Sequence, residues 1–215
     1  MKEGKFDEKN KLKNILIFIV IIILCIYGFK KITNMGSKFT SKDNLKVDCE
    51  HEWDNLNDKD KKIIKQVISL AKKKLGTEYV WGGKGEIITE ERYNELVKCY
   101  GESYYPLDKK DYIGIQGFDC SGLTYWTYKE VSGVNIGYST SQQQEVLKKY
   151  KVKDTLQPGD LIFTTRHVVL YIGDGYVIHS KNKYKYPTGG IKKDSVKWYK
   201  KGTAYRVIDY INDQK

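Results

Sequence analysis

The hydrophobic residues that follow residue 57 have a helical spacing first and a strand-like spacing later. The first helix is predicted to begin at Asn57 or Asp58, either of which is a good N-cap, and to end with Gly76 as its C-terminal cap. Because residues three to four apart share one side of a helix, this segment presents a single apolar face. That face consists of Ile63, Ile64, Val67, Ile68, Ala71 and Leu75.

The same spacing predicts further helices in the middle of the chain. One covers about residues 90–100, and another begins at Asp119 and runs to about Val131. A third is predicted to start at Thr140, because Gln143 stands three residues later, as a capping box requires.

Short apolar runs bounded by turn residues predict strands in the last third of the chain. Asp174-Gly175 lies between two of these runs and is a strong hairpin signal. Helices followed by hairpin-linked strands predict an α+β fold, with the helices packed on an antiparallel sheet. The predicted strands cover residues 161–163, 167–172, 176–180, about 191–196 and 205–210.

An apolar run at residues 15–29, interrupted only by Gly28, lies near the N-terminus. It is short for a hydrocarbon core of about 30 Å, but flanking lysines can extend the span by snorkelling. We therefore predict a transmembrane anchor at 14–31, preceded by a cytoplasmic tail at 1–13. Both flanks are basic, so charge does not decide the orientation.

Two other readings of this run stay open. A cleaved signal peptide needs small residues after the apolar run, and no alanine occurs before Ala71. A lipoprotein signal would use Cys25, but Leu24 is large where a small residue is needed. After the run, a polar stretch at 32–56 predicts a stalk, and a folded domain is predicted at 57–212.

The net charge of +11 comes almost entirely from lysine. Two interpretations remain: a well-solvated surface, or attraction to anionic polymers of a cell wall. No nucleic-acid motif accompanies the charge, so nucleic acid is not a predicted partner. Cys49 and Cys99 are predicted either to pair outside the cell or to remain free thiols.

Cys120 and two histidines carry the candidate chemistry. Cys120 lies at the predicted start of a helix, where unpaired N–H groups and the helix dipole should lower the pKa of its thiol. His167 is predicted to be the base that takes the thiol proton, and His179 to orient it. Zinc is a weak alternative because a fourth ligand is missing. We therefore predict no cofactor and no metal.

The register of the hairpin decides whether the two histidines share a face. A two-residue turn at Asp174-Gly175 would place His167 and His179 on opposite faces, because strand side chains alternate. A triad needs both rings on one face, so we predict a bulged, three-residue loop, Gly173-Asp174-Gly175, that puts residue 169 opposite residue 179, with His167 on the diagonal. The side chains expected to pack on the core are Val168, Leu170, Ile172 and Ile178.

Six sequence blocks between about residues 60 and 212 resemble the NlpC-type cell-wall cysteine peptidases, a papain-like family. Any one block is weak, but their order makes the match specific. The blocks are Tyr79-Val80-Trp81-Gly82-Gly83, Phe118-Asp119-Cys120-Ser121-Gly122-Leu123, Thr140-Ser141-Gln142-Gln143, Leu156-Gln157-Pro158-Gly159-Asp160-Leu161, His167 with Tyr171-Ile172-Gly173-Asp174-Gly175, and Ile178-His179-Ser180.

The resemblance implies a papain-like fold of N-terminal helices on a central antiparallel sheet. It implies a catalytic triad of Cys120, His167 and His179 that acts through an acyl-enzyme. The implied substrate is the stem peptide of peptidoglycan, cut between D-glutamate and a diamino acid. Such a substrate places the domain outside the cell, on a single-pass membrane protein. The residues implied to hold the substrate and its free amine are Tyr79, Asp119, Ser121 and, less directly, Ser141.

Two features depart from the family pattern. The segment 84–116 is long and is expected to form a wall or lid beside the groove. Ser139 stands where an arginine is often found. Two alternative functions therefore remain: an amidase or acyltransferase that uses the same triad, and a non-catalytic scaffold that binds the cell wall.

Overall fold

The computed structural model describes residues 45–214, which contain six α-helices around two antiparallel sheets. The small sheet pairs β1 (Lys84–Ile87) with β2 (Gln116–Phe118). Three short 3-10 turns complete the helical part, at Glu102–Tyr104, Lys148–Tyr150 and Val196–Tyr199. The helices are α1 (Asp58–Lys72), α2 (Glu90–Tyr100), α3 (Lys109–Tyr112), α4 (Cys120–Ser132), α5 (Thr140–Leu147) and α6 (Val207–Asp213).

The larger sheet has five strands in the order β6-β5-β4-β3-β7, and every neighbouring pair is antiparallel. It carries helices on one face, which confirms the predicted α+β fold. Its strands are β3 (Leu161–Thr164), β4 (His167–Gly173), β5 (Tyr176–Lys181), β6 (Gly190–Ser195) and β7 (Thr203–Tyr205).

The β4–β5 hairpin has the predicted register. Leu170 pairs with Ile178 and Tyr171 with Val177, which places residue 169 opposite residue 179. The next pair is Gly173 with Tyr176, so Ile172 is the extra, bulged residue. The turn is two residues long, so the predicted three-residue loop is wrong, and the odd offset arises from a bulge in the strand.

Both faces of the large sheet are buried. One face packs against α1, α4 and α6, and includes Val168, Leu170 and Ile178, with Ile172 partly buried at its edge. The opposite face contains the side chains of Val47, Leu156, Ile162, Val169, Tyr171, Val177, Val196, Tyr199 and Ala204. A sheet that is covered on both sides has a strongly specified register, because a one-residue slip would exchange two apolar surfaces.

The first helix begins as predicted but ends earlier. The side chain of Asn57 caps α1 by accepting a hydrogen bond from the N–H of Asp60. The helix stops at Lys72, so the predicted end at Gly76 is wrong. Leu75 is 41% exposed and would gain little burial from another turn. Gly76 has a left-handed φ of +88° and donates to the carbonyl of Ile191, 2.9 Å away, so it joins the chain to β6.

The capping box of α5 is one residue earlier than predicted. Ser139 is the N-cap, and Gln142 completes the box instead of Gln143. Gln143 is fully buried and serves another purpose. Its Nε2 donates to the carbonyls of Ser121 and Gly137, 2.9 and 3.0 Å away, so it connects α4 to the segment before α5.

The predicted strand at 205–210 is also wrong. β7 ends at Tyr205, and the apolar residues that follow belong to α6. Val207, Ile208 and Ile211 are all buried in the main core. Their spacing places them on one side of a helix, and contact with that core outweighs the strand preference of β-branched residues.

The described part of the predicted stalk, residues 45–56, packs on the domain. Lys46 forms a parallel bridge with Thr155, and the side chains of Val47 and Leu56 are buried. Glu52 is 3% exposed and accepts hydrogen bonds from the Tyr171 hydroxyl at 2.7 Å and the Asp174 N–H at 3.0 Å. This stretch therefore braces the β4–β5 turn, which differs from the sequence expectation of an unstructured stalk.

The predicted anchor at 14–31 lies outside the described residues. Within residues 45–214, no helix has the length and apolar character needed to cross a bilayer. Cys49 and Cys99 are free thiols; Cys49 is partly buried and Cys99 is exposed.

Candidate active site

The start of α4 is held in place by Asp119. Its Oδ1 accepts a 2.6 Å hydrogen bond from the N–H of Gly122, which makes it the N-cap of the helix. The Asp119 N–H in turn donates to the carbonyl of Gly83, 3.0 Å away. A Cβ atom at Gly122 would lie 2.0 Å from the same carbonyl oxygen, so only glycine permits this approach. Cys120 is consequently the first residue of a rigidly positioned helix.

The sheet reaches Cys120 through backbone contacts. The Ser180 hydroxyl donates to the carbonyl of Phe118 at 2.9 Å, which attaches β5 to the chain just before Asp119. The backbone N–H groups of Val168 and Ser121 lie close enough to the Cys120 sulfur to lower the pKa of its thiol. The sulfur therefore lies near the backbone of Val168, the residue that follows His167 in β4.

The two histidines are joined directly. Nε2 of His167 lies 2.8 Å from Nδ1 of His179, with the ring planes 75° apart. His167 is half-buried, and His179 is fully buried on the same face of the sheet. The predicted pairing of His167 with His179 therefore agrees with the geometry.

Two residues that the sequence did not predict complete this chain of contacts. Nε2 of His179 lies 3.1 Å from Oδ2 of Asp194 on β6. The Tyr199 hydroxyl lies 3.1 Å from the same nitrogen, and its ring packs edge-on against the His179 ring. A carboxylate and an aromatic ring thus surround the imidazole that contacts His167.

The carboxylate of Asp194 determines the protonation of both rings. Because an ionised carboxylate only accepts hydrogen bonds, we assign the proton of His179 to Nε2. Nδ1 of His179 is then an acceptor, and His167 donates to it from Nε2. This leaves Nδ1 of His167 unprotonated, which is the form a general base requires.

The pKa of Cys120 contradicts the sequence prediction. Burial, and then the negative charge of Asp119, raise it to about 11. The N–H groups of Val168 and Ser121 and the Lys84 ammonium act in the opposite direction but are outweighed. The dipole of a helix start does not make this thiol acidic, because the surrounding protein removes the water that would solvate a thiolate.

Both imidazoles favour their neutral forms. Burial, and then the neighbouring His179, lower the pKa of His167 to about 3. Burial also lowers the pKa of His179 to about 4, although Asp194 opposes the change. The resting site therefore holds a neutral thiol and a neutral imidazole, and the arrangement suits proton transfer during attack better than a preformed ion pair.

The structure places three of the four predicted substrate-binding residues beside Cys120. Tyr79 is buried, and its burial, followed by the negative charge of Asp119, raises the pKa of its phenol well above the usual value. The Ser121 hydroxyl lies 2.9 Å from Oδ1 of Asp119. Ser141 is exposed in the first turn of α5, and no hydrogen bond within the described chain connects it to Cys120.

Sequence reasoning missed Asp194, Tyr199 and Lys84. Lys84 donates from Nζ to Oδ2 of Asp119 at 2.5 Å and to Oγ of Ser121 at 3.2 Å. One signal pointed to Asp194: it is an acidic residue in a predicted strand, and a carboxylate can accept a hydrogen bond from a histidine. The register of β5 and β6 could not be predicted across the long loop that joins them. In the structure His179 pairs with Lys192, and Asp194 lies diagonally across from His179. In residues 45–214, no cluster of histidine, cysteine and acidic side chains could hold a metal ion.

The chain is similar to proteins of known families. A family model described as the NlpC/P60 family matches residues 76–204. Protein P54 of Enterococcus faecium is 31% identical over 138 residues, which cover 62% of this chain and 20% of that protein. A gamma-D-glutamyl-L-lysine dipeptidyl-peptidase of Bacillus cereus is 42% identical over 72 residues, which cover 30% of this chain and 21% of that enzyme.

A solved structure is also similar. The NlpC/p60 domain of the peptidoglycan hydrolase SagA is 28% identical, with a TM-score of 0.45. The likeness covers 66% of this chain and 97% of that domain. By contrast, the chain spans only about a fifth of the length of the two curated relatives named above.

The raised pKa of Cys120 predicts slow alkylation that accelerates with pH. Because thiolate is the reactive form, the rate with iodoacetamide should keep rising above about pH 9 and show no plateau below about pH 8. Peptide mapping identifies the labelled cysteine, and glutathione under the same conditions is the reference thiol. A plateau near about pH 6 would show a preformed thiolate–imidazolium pair and contradict this prediction.

Replacing Asp194 should disturb the base through His179. Asp194→Ala removes the acceptor that sets both tautomers, and kcat/KM on a cleaved peptide should fall at least about tenfold. Asp194→Asn keeps one acceptor oxygen and should lose less. The pH dependence of kcat/KM should also shift, which a purely structural role would not cause. Equal activity of Asp194→Ala and the parent protein, at equal melting temperature, would refute the assigned role.

Proposed function

The chain belongs to the NlpC/P60 family, and we propose that it hydrolyses amide bonds in the stem peptides of peptidoglycan with Cys120 as nucleophile. The observation that carries the proposal is the line of contacts from Asp194 through His179 to His167. His167 directly precedes Val168, whose backbone N–H lies near the Cys120 sulfur. The similarity to enzymes named as endopeptidases and peptidases supports it. A scaffold that only binds wall peptides would not need this orientation of two neutral imidazoles.

The proposed reaction starts from the neutral pair. Nδ1 of His167 takes the proton of the Cys120 thiol as the sulfur attacks the carbonyl carbon of the scissile bond. The backbone N–H of Cys120 is a donor for the oxyanion that forms. His167 then gives its proton to the leaving amine, and the acyl group remains on the sulfur. Water, deprotonated by His167, releases the acyl group and restores the thiol.

His179 and Asp194 stabilise the charged state of His167. Once His167 carries the proton, Nδ1 of His179 accepts a stronger, charge-assisted hydrogen bond from its Nε2. Asp194 balances the positive charge across His179. Burial raises the pKa of Asp194, but the His179 contact and Lys192 together bring it below the usual value, so this carboxyl stays ionised.

We propose that the scissile bond joins D-glutamate to a diamino acid. The name of the 42% identical Bacillus cereus enzyme specifies a gamma-D-glutamyl-L-lysine bond. The family match over residues 76–204 includes Cys120 and both histidines. An amidase or acyltransferase using the same triad would act on a different acyl group and would leave the stem peptide intact.

We also propose that residues 14–31 anchor the protein in the cell membrane, with the domain outside. The apolar run at 15–29 and its flanking lysines support this location. A peptidoglycan substrate also requires an extracellular domain. The net charge of +11 fits a secondary attraction to anionic wall polymers.

Substitution of the nucleophile tests the activity. Cys120→Ala should abolish release of new peptide termini from purified wall fragments, with a loss of about 10³-fold or more, as followed by mass spectrometry. Cys99→Ala, which removes an exposed thiol, is the matched control and should keep full activity. Retained cleavage by Cys120→Ala would refute the mechanism, and products cut outside the stem peptide would favour the amidase alternative.

Extraction of cell membranes tests the anchor. The full chain should resist alkaline carbonate and be released only by detergent, because about fifteen apolar residues interact with the lipid. The double substitution Ile21→Lys and Ile22→Lys should move the protein to the soluble fraction. If the unaltered chain is extracted by carbonate or appears shortened at its N-terminus, the proposed anchor is wrong.

A further inference from the structure

The ammonium of Lys84 contacts Asp119, the acidic residue beside the nucleophile. It is the first residue of β1 and belongs to the segment 84–116 that departs from the family pattern. Its ammonium lies 2.5 Å from Oδ2 of Asp119 and 3.2 Å from Oγ of Ser121. These are the two residues that flank Cys120, and the resemblance implied that they hold a free amine of the substrate. The protein supplies such an ammonium itself.

Groups of the protein already contact both carboxylate oxygens of Asp119. A carboxylate offers about four lone-pair sites. Oδ1 receives the Gly122 N–H at 2.6 Å and faces the Ser121 hydroxyl at 2.9 Å. Oδ2 receives the Gly82 N–H at 3.2 Å as well as the Lys84 ammonium. A substrate amine would therefore have to displace Lys84 before it could contact this carboxylate.

The backbone around Lys84 is fixed against α4. Lys84 pairs with Phe118 across the small sheet. The next residue, Gly85, has φ of +103°, and a Cβ there would lie 2.4 Å from the Trp126 ring. The side chains of Lys84 and Asp119 are only 24% and 13% exposed. Separating a pair this shielded from solvent would leave a largely buried charge unpaired, so we treat Lys84 as a fixed part of the site.

Lys84 changes which charge the surface around Asp119 and Ser121 attracts. An open Asp119 would attract a cationic group, whereas the Asp119–Lys84 pair is close to neutral and presents N–H donors. An ammonium has three N–H groups, and within the described residues Asp119 and Ser121 use two of them. The remaining donor suits a carbonyl or carboxylate oxygen and repels a second ammonium.

We propose that Lys84 is a specificity-determining residue that makes the enzyme select stem peptides whose N-terminal amine is acylated over those with a free amine. This inference rests on the proposed function, because it concerns the substrate of the same site. An acylated N-terminus is what a stem peptide has while it is still linked to a glycan strand through an amide. The enzyme would then cut intact wall, not released peptides.

Paired substrates test the proposal. One is a synthetic stem peptide with a free N-terminal amine, and the other is the same peptide with that amine acetylated. The parent protein should show the higher kcat/KM on the acetylated peptide. Lys84→Met, which keeps the length but removes the charge, should shift the ratio toward the free amine by about tenfold or more, as expected for a charge-assisted hydrogen bond to Asp119.

Two control variants isolate the effect. Lys98→Met removes an exposed lysine from α2 in the same segment and should leave the ratio unchanged. Lys84→Arg keeps the positive charge and should keep the preference for the acetylated peptide. Melting temperatures close to that of the parent protein show that each variant is folded.

Several results would overturn the proposal. One is a parent protein that prefers the peptide with the free amine. Another is an unchanged kcat/KM ratio in Lys84→Met. A third is an equal rise of kcat/KM on both peptides in Lys84→Met, which would show that Lys84 only obstructs the groove. If the parent protein cleaves neither peptide, the proposed function fails separately. Calorimetric binding of both peptides to Cys120→Ala, with and without Lys84→Met, then measures the same ratio without catalysis.

Discussion

The N-cap carboxylate of Asp119 is the contact on which the site depends. A helix start exposes unpaired N–H groups, and a short acidic side chain just before it satisfies them. Here the same carboxylate also receives the Gly82 N–H and the Lys84 ammonium. One residue therefore connects the 79–83 block, the segment 84–116 and the helix that begins with Cys120. Any displacement of it would move the nucleophile and the adjacent subsite together.

Burial is the second constraint, and it acts on every titratable group of the triad. It raises the pKa of Cys120 and lowers that of both histidines, so charge is disfavoured on all three in the resting state. Charge must then appear only during the reaction, and the groups that stabilise it must already be in place. Asp194 meets this requirement for His167 through His179, without contacting the base itself.

The bulge at Ile172 brings the histidines to the same face. Without the extra residue, alternation of side chains would direct His167 and His179 to opposite sides of the sheet. The sheet tolerates the bulge because Glu52 accepts hydrogen bonds from the Tyr171 hydroxyl and the Asp174 N–H near the turn. Glu52 thus supports the geometry of the site from the turn end of β4, opposite the end that carries His167.

Local sequence determined much of this protein. The periods of the apolar residues, the capping residues Asn57 and Asp119 and the turn at Asp174-Gly175 placed most helices and strands, because these signals act within one or two turns of chain. The alternation rule, together with the requirement that His167 and His179 share a face, predicted the register of the β4–β5 hairpin. The same local reasoning failed at residues 205–210, where contact with the core, and not the β-branched residues, determined that the segment is helical.

Only the tertiary structure decided the electrostatics and the remaining partners. The pKa of Cys120 depends on how much water the surrounding protein removes, which no local pattern reports, and burial outweighed the helix dipole. Asp194 is 15 positions from its partner His179 along the chain, and Lys84 is 35 positions from its partner Asp119. Their contacts depend on strand register after a long loop and on the packing of β1 against α4, and both are set by the fold as a whole.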